Sequence, residues 1–148
     1  PGFGTVELRM SDAMATMREI LALAALAQCS VYDLSRRFEA GETLPSLHPW
    51  VLKQNKWRAA RFGLDTMLIE NDEGDNRDIK ELIDSEISRL SEVARTLGCA
   101  DQLADLRLIV EHGNGATRQR REFARTGDLK SVVALLLREW ETNTPTGW

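Results

Sequence analysis

The sequence predicts a mainly α fold, with one or more N-terminal β-strands followed by about five helices. Three observations carry that expectation. Apolar and polar residues alternate over Thr5–Met10 and nowhere else for long. From Met17 onward apolar residues recur at spacings of three and four, the period of a buried helix face. Between those runs stand Gly41, Gly63, Gly98, Gly113 and Gly127, residues suited to ending helices.

The strand is expected over residues 4–10. Alternate side chains share a face in a strand, so Val6, Leu8 and Met10 point one way and Thr5, Glu7 and Arg9 the other. Thr16-Met17-Arg18-Glu19 has the form of a capping box and opens a helix that runs to about Phe38. Residues 42–47 form a turn or loop. Pro49 suits the first turn of a second helix, which ends at Gly63. Leu64–Ile69 is too short to classify. Residues 70–76 form an acidic loop that lacks the ligand alternation and closing Glu of a calcium loop, so a solvated connection is expected. Asp75 or Asp78 caps a third helix with a clear apolar stripe from Ile79 through Ile83, Ile87, Leu90 and Ala94 to Leu97. Asp101 starts a fourth, stopped by Gly113-Asn114-Gly115. A basic helix then carries Arg118–Arg125, and Asp128 caps a last one over Leu129–Trp140 with Val132, Val133, Leu135, Leu136 and Leu137 mostly buried. The tail over residues 142–148 is expected to fray.

Length and composition narrow the function classes. At 148 residues the chain is one domain's worth, long enough for a core. A net charge of −4 argues against a general nucleic-acid or anionic-membrane surface. No apolar run reaches bilayer length, and a cytoplasmic location is expected. Cys29 and Cys99 match neither a disulfide framework nor a metal-ligand set and read as inert small hydrophobes. A single strand cannot satisfy its own backbone groups. Its partners are therefore expected either in another copy of the chain or in sequence upstream of Pro1, and the second reading is favoured. An exposed strand edge would invite pairing into a homo-oligomer.

Three patches hold residues of chemical interest. On the strand, Glu7 and Arg9 would project from one face: a hard oxygen ligand for Mg²⁺ beside a planar fork for phosphoryl oxygens, unless both are merely solvated. In the second helix Trp50, Gln54, Trp57 and Arg61 form one stripe and Val51, Asn55, Arg58 and Phe62 the next. Such mixing of large aromatics with polar groups suits a wet interface or the wall of a polar pocket. It also suits a structural arrangement in which Arg58 and Arg61 pair with local carboxylates. Gly113-Asn114-Gly115-Ala116-Thr117-Arg118 is a glycine-flanked helix start, able to hold an anion on its N–H groups or simply to join two helices. It has no phosphate-loop Lys-Ser/Thr. His48 and His112 have no partner pattern, and no nucleophile–base arrangement is visible.

Taken in order, Thr5-Val6-Glu7-Leu8-Arg9-x-x-Asp12, Gln54-Asn55-Lys56-Trp57-Arg58-Ala59-Ala60-Arg61-Phe62-Gly63 and Gly113-Asn114-Gly115-Ala116-Thr117-Arg118-Gln119-Arg120 resemble the carboxy-terminal part of the type 2 glutamate–cysteine ligase family, also called carboxylate–amine ligases. The resemblance runs from about Gly4 to Trp140, and the middle motif is its most specific part. It implies a fold similar to glutamine synthetase, with an antiparallel catalytic sheet surrounded by helices. It implies ATP and Mg²⁺ as cofactors, and amide formation through an acyl phosphate. By that resemblance Glu7 is a metal ligand and Arg9 is catalytic and cofactor-binding, stabilising charge on the transferred phosphoryl group. By the same resemblance Asn55, Arg58 and Arg61 have a supporting or cofactor-pocket-lining role, Arg118 and Arg120 are weaker candidates for it, and Asp12 orders the turn after the strand. The residue before Asn55 is usually acidic in the family and here is Gln54.

The expected partners are a glutamate-like carboxylate and an amine, with no nucleic acid and no membrane. The remaining metal and nucleotide ligands are expected upstream of Pro1, which leaves the chain alone inactive. The competing expectation is a non-catalytic helical interaction module that docks a partner on the Ile79–Leu97 helix. A second competitor, anion or nucleic-acid binding through Arg118–Arg125, is disfavoured by the acidic net charge.

Overall fold

The computed structural model describes residues 4–8 and 11–148. It is mainly helical. Five helices have twelve or more residues: α1 (Met17–Glu39), α2 (Pro49–Phe62), α3 (Ile79–Leu97), α6 (Gly115–Thr126) and α7 (Leu129–Thr142). Two short helices, α4 (Ala100–Ala104) and α5 (Leu106–His112), divide the fourth predicted helix at Asp105. Between α2 and α3 lies an antiparallel hairpin, β1 (Met67–Ile69) and β2 (Asn76–Asp78), in which Leu68 faces Arg77. The short run that the sequence left unclassified is thus its first strand, and the acidic loop is its turn.

Local chemistry sets most helix ends. Thr16 caps α1 by accepting from the Glu19 N–H at 3.2 Å, and its hydroxyl donates to Glu19 Oε2 at 3.1 Å. His48 caps α2, with Nδ1 accepting from the Trp50 N–H. Asp78, Asn114 and Asp128 cap α3, α6 and α7 through their side-chain oxygens. Gly98 closes α3 at φ 71°, a left-handed conformation that favours glycine.

The core lies where α1 crosses α3 and the α4–α5 pair. Ala22, Ala25 and Cys29 share one face of α1, and small side chains there let the neighbouring helices approach closely. Against them pack Ile87, Leu90 and Ala94 of α3, with Leu103 and Leu106. Leu90 and Leu103 are sealed from solvent, and each such leucine contributes about 1.5–3 kcal/mol through burial. The stripe considered as a partner-docking face on α3 is therefore occupied inside the molecule. Arg18 grips Asp105 with two hydrogen bonds of 2.7 Å, fixing the break between α4 and α5 to the start of α1.

Three expectations need correction. Residues 5–8, the described part of the expected strand, are exposed and belong to no strand, and among the described residues the hairpin strands pair with each other alone. Val133 and Leu137 are exposed, because α7 packs chiefly through Val132 and Leu135. The C-terminal tail is docked rather than frayed: Pro145 is buried, the Thr146 N–H donates to Glu139 Oε1 at 2.8 Å, and the Trp148 ring lies 5.1 Å from the Arg18 guanidinium.

Candidate functional site

The second helix spends its central polar groups on the hairpin. Asn55 acts like a short extra strand: its Oδ1 accepts from the Ile69 N–H and its Nδ2 donates to the Ile69 carbonyl, both at 2.8 Å. Arg58 Nη1 donates to the Met67 carbonyl at 3.0 Å and to Asn76 Oδ1 at 2.5 Å. Among the described residues, no ion pair joins Arg58 or Arg61 to a local carboxylate. Arg61 stacks over Phe62 at 5.8 Å, and Trp57 meets Phe62 edge-on. On the outer side, Trp50, Lys53, Gln54 and Trp57 line an open depression.

The opposite side of α2 borders a cavity of about 630 Å³. Asp12 and Met14 line it from the segment entering α1, Ala59 from α2, Asn114, Gly115 and Gln119 from the start of α6, and Leu136 and Trp140 from α7. All three sequence patches thus reach one concavity. Two glycines make the junction close. A Cβ on Gly63 would sit 3.6 Å from Asn114 Nδ2, so the end of α2 abuts the start of α6. At Gly113 (φ 96°) a Cβ would fall 2.8 Å from Thr117 Cγ2, which excludes any larger residue without displacement of Thr117. Asn114 Oδ1 then accepts from both the N–H and the hydroxyl of Thr117 at 3.0 Å.

Beneath this wall lies a buried ion cluster. Arg118 is 3% exposed and forks onto Glu139, with Nε–Oε1 2.9 Å and Nη2–Oε2 3.2 Å. Its Nη1 donates to the Gly113 carbonyl at 2.9 Å. Glu19, also buried, brings Oε1 within 2.9 Å of Nη2, a charge contact out of line for a hydrogen bond. Burial alone would lower the Arg118 pKa, but the Glu139 hydrogen bonds and the Glu19 charge outweigh it and the pKa is raised. Burial alone would raise the Glu139 pKa, but Arg118 and the Thr146 N–H hold it below the ordinary carboxylate value. The cluster joins α1, α6, α7 and the tail, and it fixes the backbone of the cavity's glycine-flanked wall.

The predicted site residues are not gathered in one place. Glu7 is exposed and lies in no strand, and Arg9 falls outside the described residues. Asn55 and Arg58 face the hairpin, Arg61 lies beside Phe62, and Arg118 is committed to Glu139. In the basic helix, Arg121 donates to the His112 carbonyl and Arg125 pairs with Glu122. Among the described residues no group of three or more His, Cys, Asp or Glu side chains could hold a metal ion. Mg²⁺ prefers six oxygen ligands, so these side chains do not make a metal centre by themselves. No helix among the described residues is long and apolar enough to cross a membrane. Sequence reasoning missed Glu19 and Glu139 as partners of Arg118, because nothing local marks contacts between such distant positions.

Comparison with known proteins bears on the same stretch of chain. Glutamate-cysteine ligase family 2 matches residues 1–135. A Mycobacterium ulcerans (strain Agy99) protein named "Putative glutamate--cysteine ligase 2" is 46% identical over 140 residues, covering 94% of this chain and 36% of that protein. A "Putative glutamate--cysteine ligase 2-1" of Arthrobacter sp. (strain FB24) is 42% identical over 147 residues, covering 99% and 38% respectively. A "Putative glutamate--cysteine ligase 2-2" of Rhodococcus jostii (strain RHA1) is 43% identical over 143 residues. The chain spans 36–38% of the length of these curated relatives. With the match covering all three patches and the helices that join them, the chain belongs to glutamate–cysteine ligase family 2.

Proposed function

We propose that this chain forms one wall of the active site of an ATP-dependent carboxylate–amine ligase of the glutamate–cysteine ligase type, working in the cytoplasm. The observation that carries the reading is the single cavity onto which the three family motifs converge. In such a ligase the γ-phosphoryl group of ATP passes to a carboxylate, giving an acyl phosphate and ADP. The amine nitrogen then attacks the acyl carbon, and inorganic phosphate leaves as the amide forms.

This chain's own residues take limited parts. Glu7 offers one carboxylate toward Mg²⁺, with the rest of the ligand set supplied by other parts of the family protein. Arg9, two positions on, offers a guanidinium to phosphoryl oxygens, where its charge matters most as negative charge builds in the transition state. Asn55 and Arg58 act indirectly, holding the hairpin against α2, which reaches the cavity one turn beyond Asn55 at Ala59. Arg61 stands beside them at the end of α2. The glycine-flanked start of α6 gives the wall N–H groups on which an anionic substrate can rest.

The test is ADP release by a full-length family protein carrying this sequence, with glutamate and cysteine supplied together and singly. Release is expected to require both substrates and Mg²⁺. Glu7→Gln should abolish it while leaving the circular dichroism spectrum and melting temperature unchanged. Wild-type release with Glu7→Gln would remove Glu7 from the site. No release from wild-type protein under any combination of the two substrates would overturn the ligase reading for that substrate pair.

A further inference from the structure

We propose that Cys29 and Cys99 form a redox-reactive dithiol, which a hydroperoxide converts into a disulfide tying α1 to the corner between α3 and α4. The two sulfurs lie 3.6 Å apart although 70 positions separate them in sequence, so it is the fold that brings them together. Both are free thiols. Cys29 is sealed in the core on the small-residue face of α1, with Ala22 and Ala25 on the same helix. Cys99 is partly exposed, which gives a small oxidant access to one member of the pair.

The backbone suits closure. A disulfide needs its sulfurs at about 2.05 Å, so they must approach by roughly 1.5 Å. Cys29 is fixed in the middle of a long helix, whereas Cys99 sits outside helical geometry at φ −124°, ψ 27°. It directly follows Gly98 at the end of α3. The adjustment therefore falls on a corner residue rather than on a packed helix.

The chemistry has a definite order. Burial and the neighbouring Cys99 push the Cys29 thiol up to about 11, so Cys29 is protonated near neutral pH and is the poorer first nucleophile. Cys99 as its thiolate attacks one oxygen of the hydroperoxide, the O–O bond breaks, and the departing oxygen leaves as water or alcohol after taking a proton. Cys99 is then a sulfenic acid. Cys29 attacks that sulfur, losing its proton as the S–O bond breaks and water departs. The two thiols lose two electrons and two protons in total, and the peroxide is reduced.

The experiment is peptide mapping of the full-length protein after hydrogen peroxide treatment, with free thiols blocked by alkylation before digestion. A cross-linked peptide joining Cys29 to Cys99, lighter by two hydrogens than its parts and separated by dithiothreitol, is expected. Cys99→Ser should remove the cross-link while leaving the reduced protein's melting temperature unchanged, and Cys29→Ala provides an independent loss of the same peptide. Recovery of both cysteines as alkylated thiols after peroxide would overturn the proposal, as would oxidation of Cys99 to the sulfinic acid without cross-linking. The readout is independent of ligase turnover, so it stands apart from the test of the active-site reading.

Discussion

Arg118 shows how one residue's chemistry differs from what its neighbours in sequence suggest. It stands in a run of arginines, yet it is buried and opposed by two carboxylates, whereas Arg125 sits on the surface beside Glu122. Replacing it with methionine would leave Glu19 and Glu139 buried without their cation. Arg118→Met should lose about 3–5 kcal/mol of stability in urea unfolding, the usual cost of stripping one partner from a buried ion pair. Glu139→Gln should cost less, because Glu19 stays beside Arg118. The acid limb of stability follows from the same contact. The Glu139 carboxyl is held below its ordinary value in the folded state, so its stabilisation is present above the unfolded value of about 4.5 and is lost as pH falls through the lower folded value. Melting temperature measured from neutral pH downward should therefore fall less steeply in Glu139→Gln than in wild type over that window. Equal slopes would remove Glu139 as a source of the acid sensitivity.

At the scale of elements, the hairpin depends on a helix. Three-residue strands make too few ladder bonds to hold alone, and α2 adds Asn55 and Arg58 as side-chain surrogates for a third strand. Asn55→Ala should leave the Ile69 N–H and carbonyl unpaired in a buried setting and cost about 1–3 kcal/mol. Amide exchange at Ile69 should accelerate in that variant, and unchanged exchange would show that Asn55 is dispensable to the hairpin. Helix limits were legible in the sequence because their causes are local: Thr16 with Glu19, Pro49 with Gly63, Asp78 with Gly98, Asp128 at the start of α7. The hairpin was not, since its strands are shorter than any period can reveal and its stability comes from α2. The break at Asp105 was hidden for a similar reason, because Arg18 holds it from a distant helix. The alternation over Thr5–Met10 shows the limit of pattern reading: its described part is in no strand, because a strand exists only with a partner to pair with.

Across the whole molecule, the convergence of three separated motifs on one cavity was legible only as a list of motifs, not as a place. Their order along the chain identified the family, while the concavity needed the packing of α2, α6 and α7 around the segment entering α1. The cavity has one carboxylate in its lining, Asp12, and among the described residues no acidic group of three could hold a metal. These 148 residues expressed alone should therefore unfold cooperatively yet release no ADP with glutamate and cysteine. Turnover by the isolated chain would mean that its own side chains suffice. The contacts that dock the C-terminal segment are similarly non-local: Pro145 is buried, Thr146 donates to Glu139, and the Trp148 ring lies over Arg18. Residues 145–148 work as a latch across the start of α1 and the end of α7. Removing their side chains would admit water to the Glu139 carboxylate beneath, so the latch is what keeps that ion pair dry.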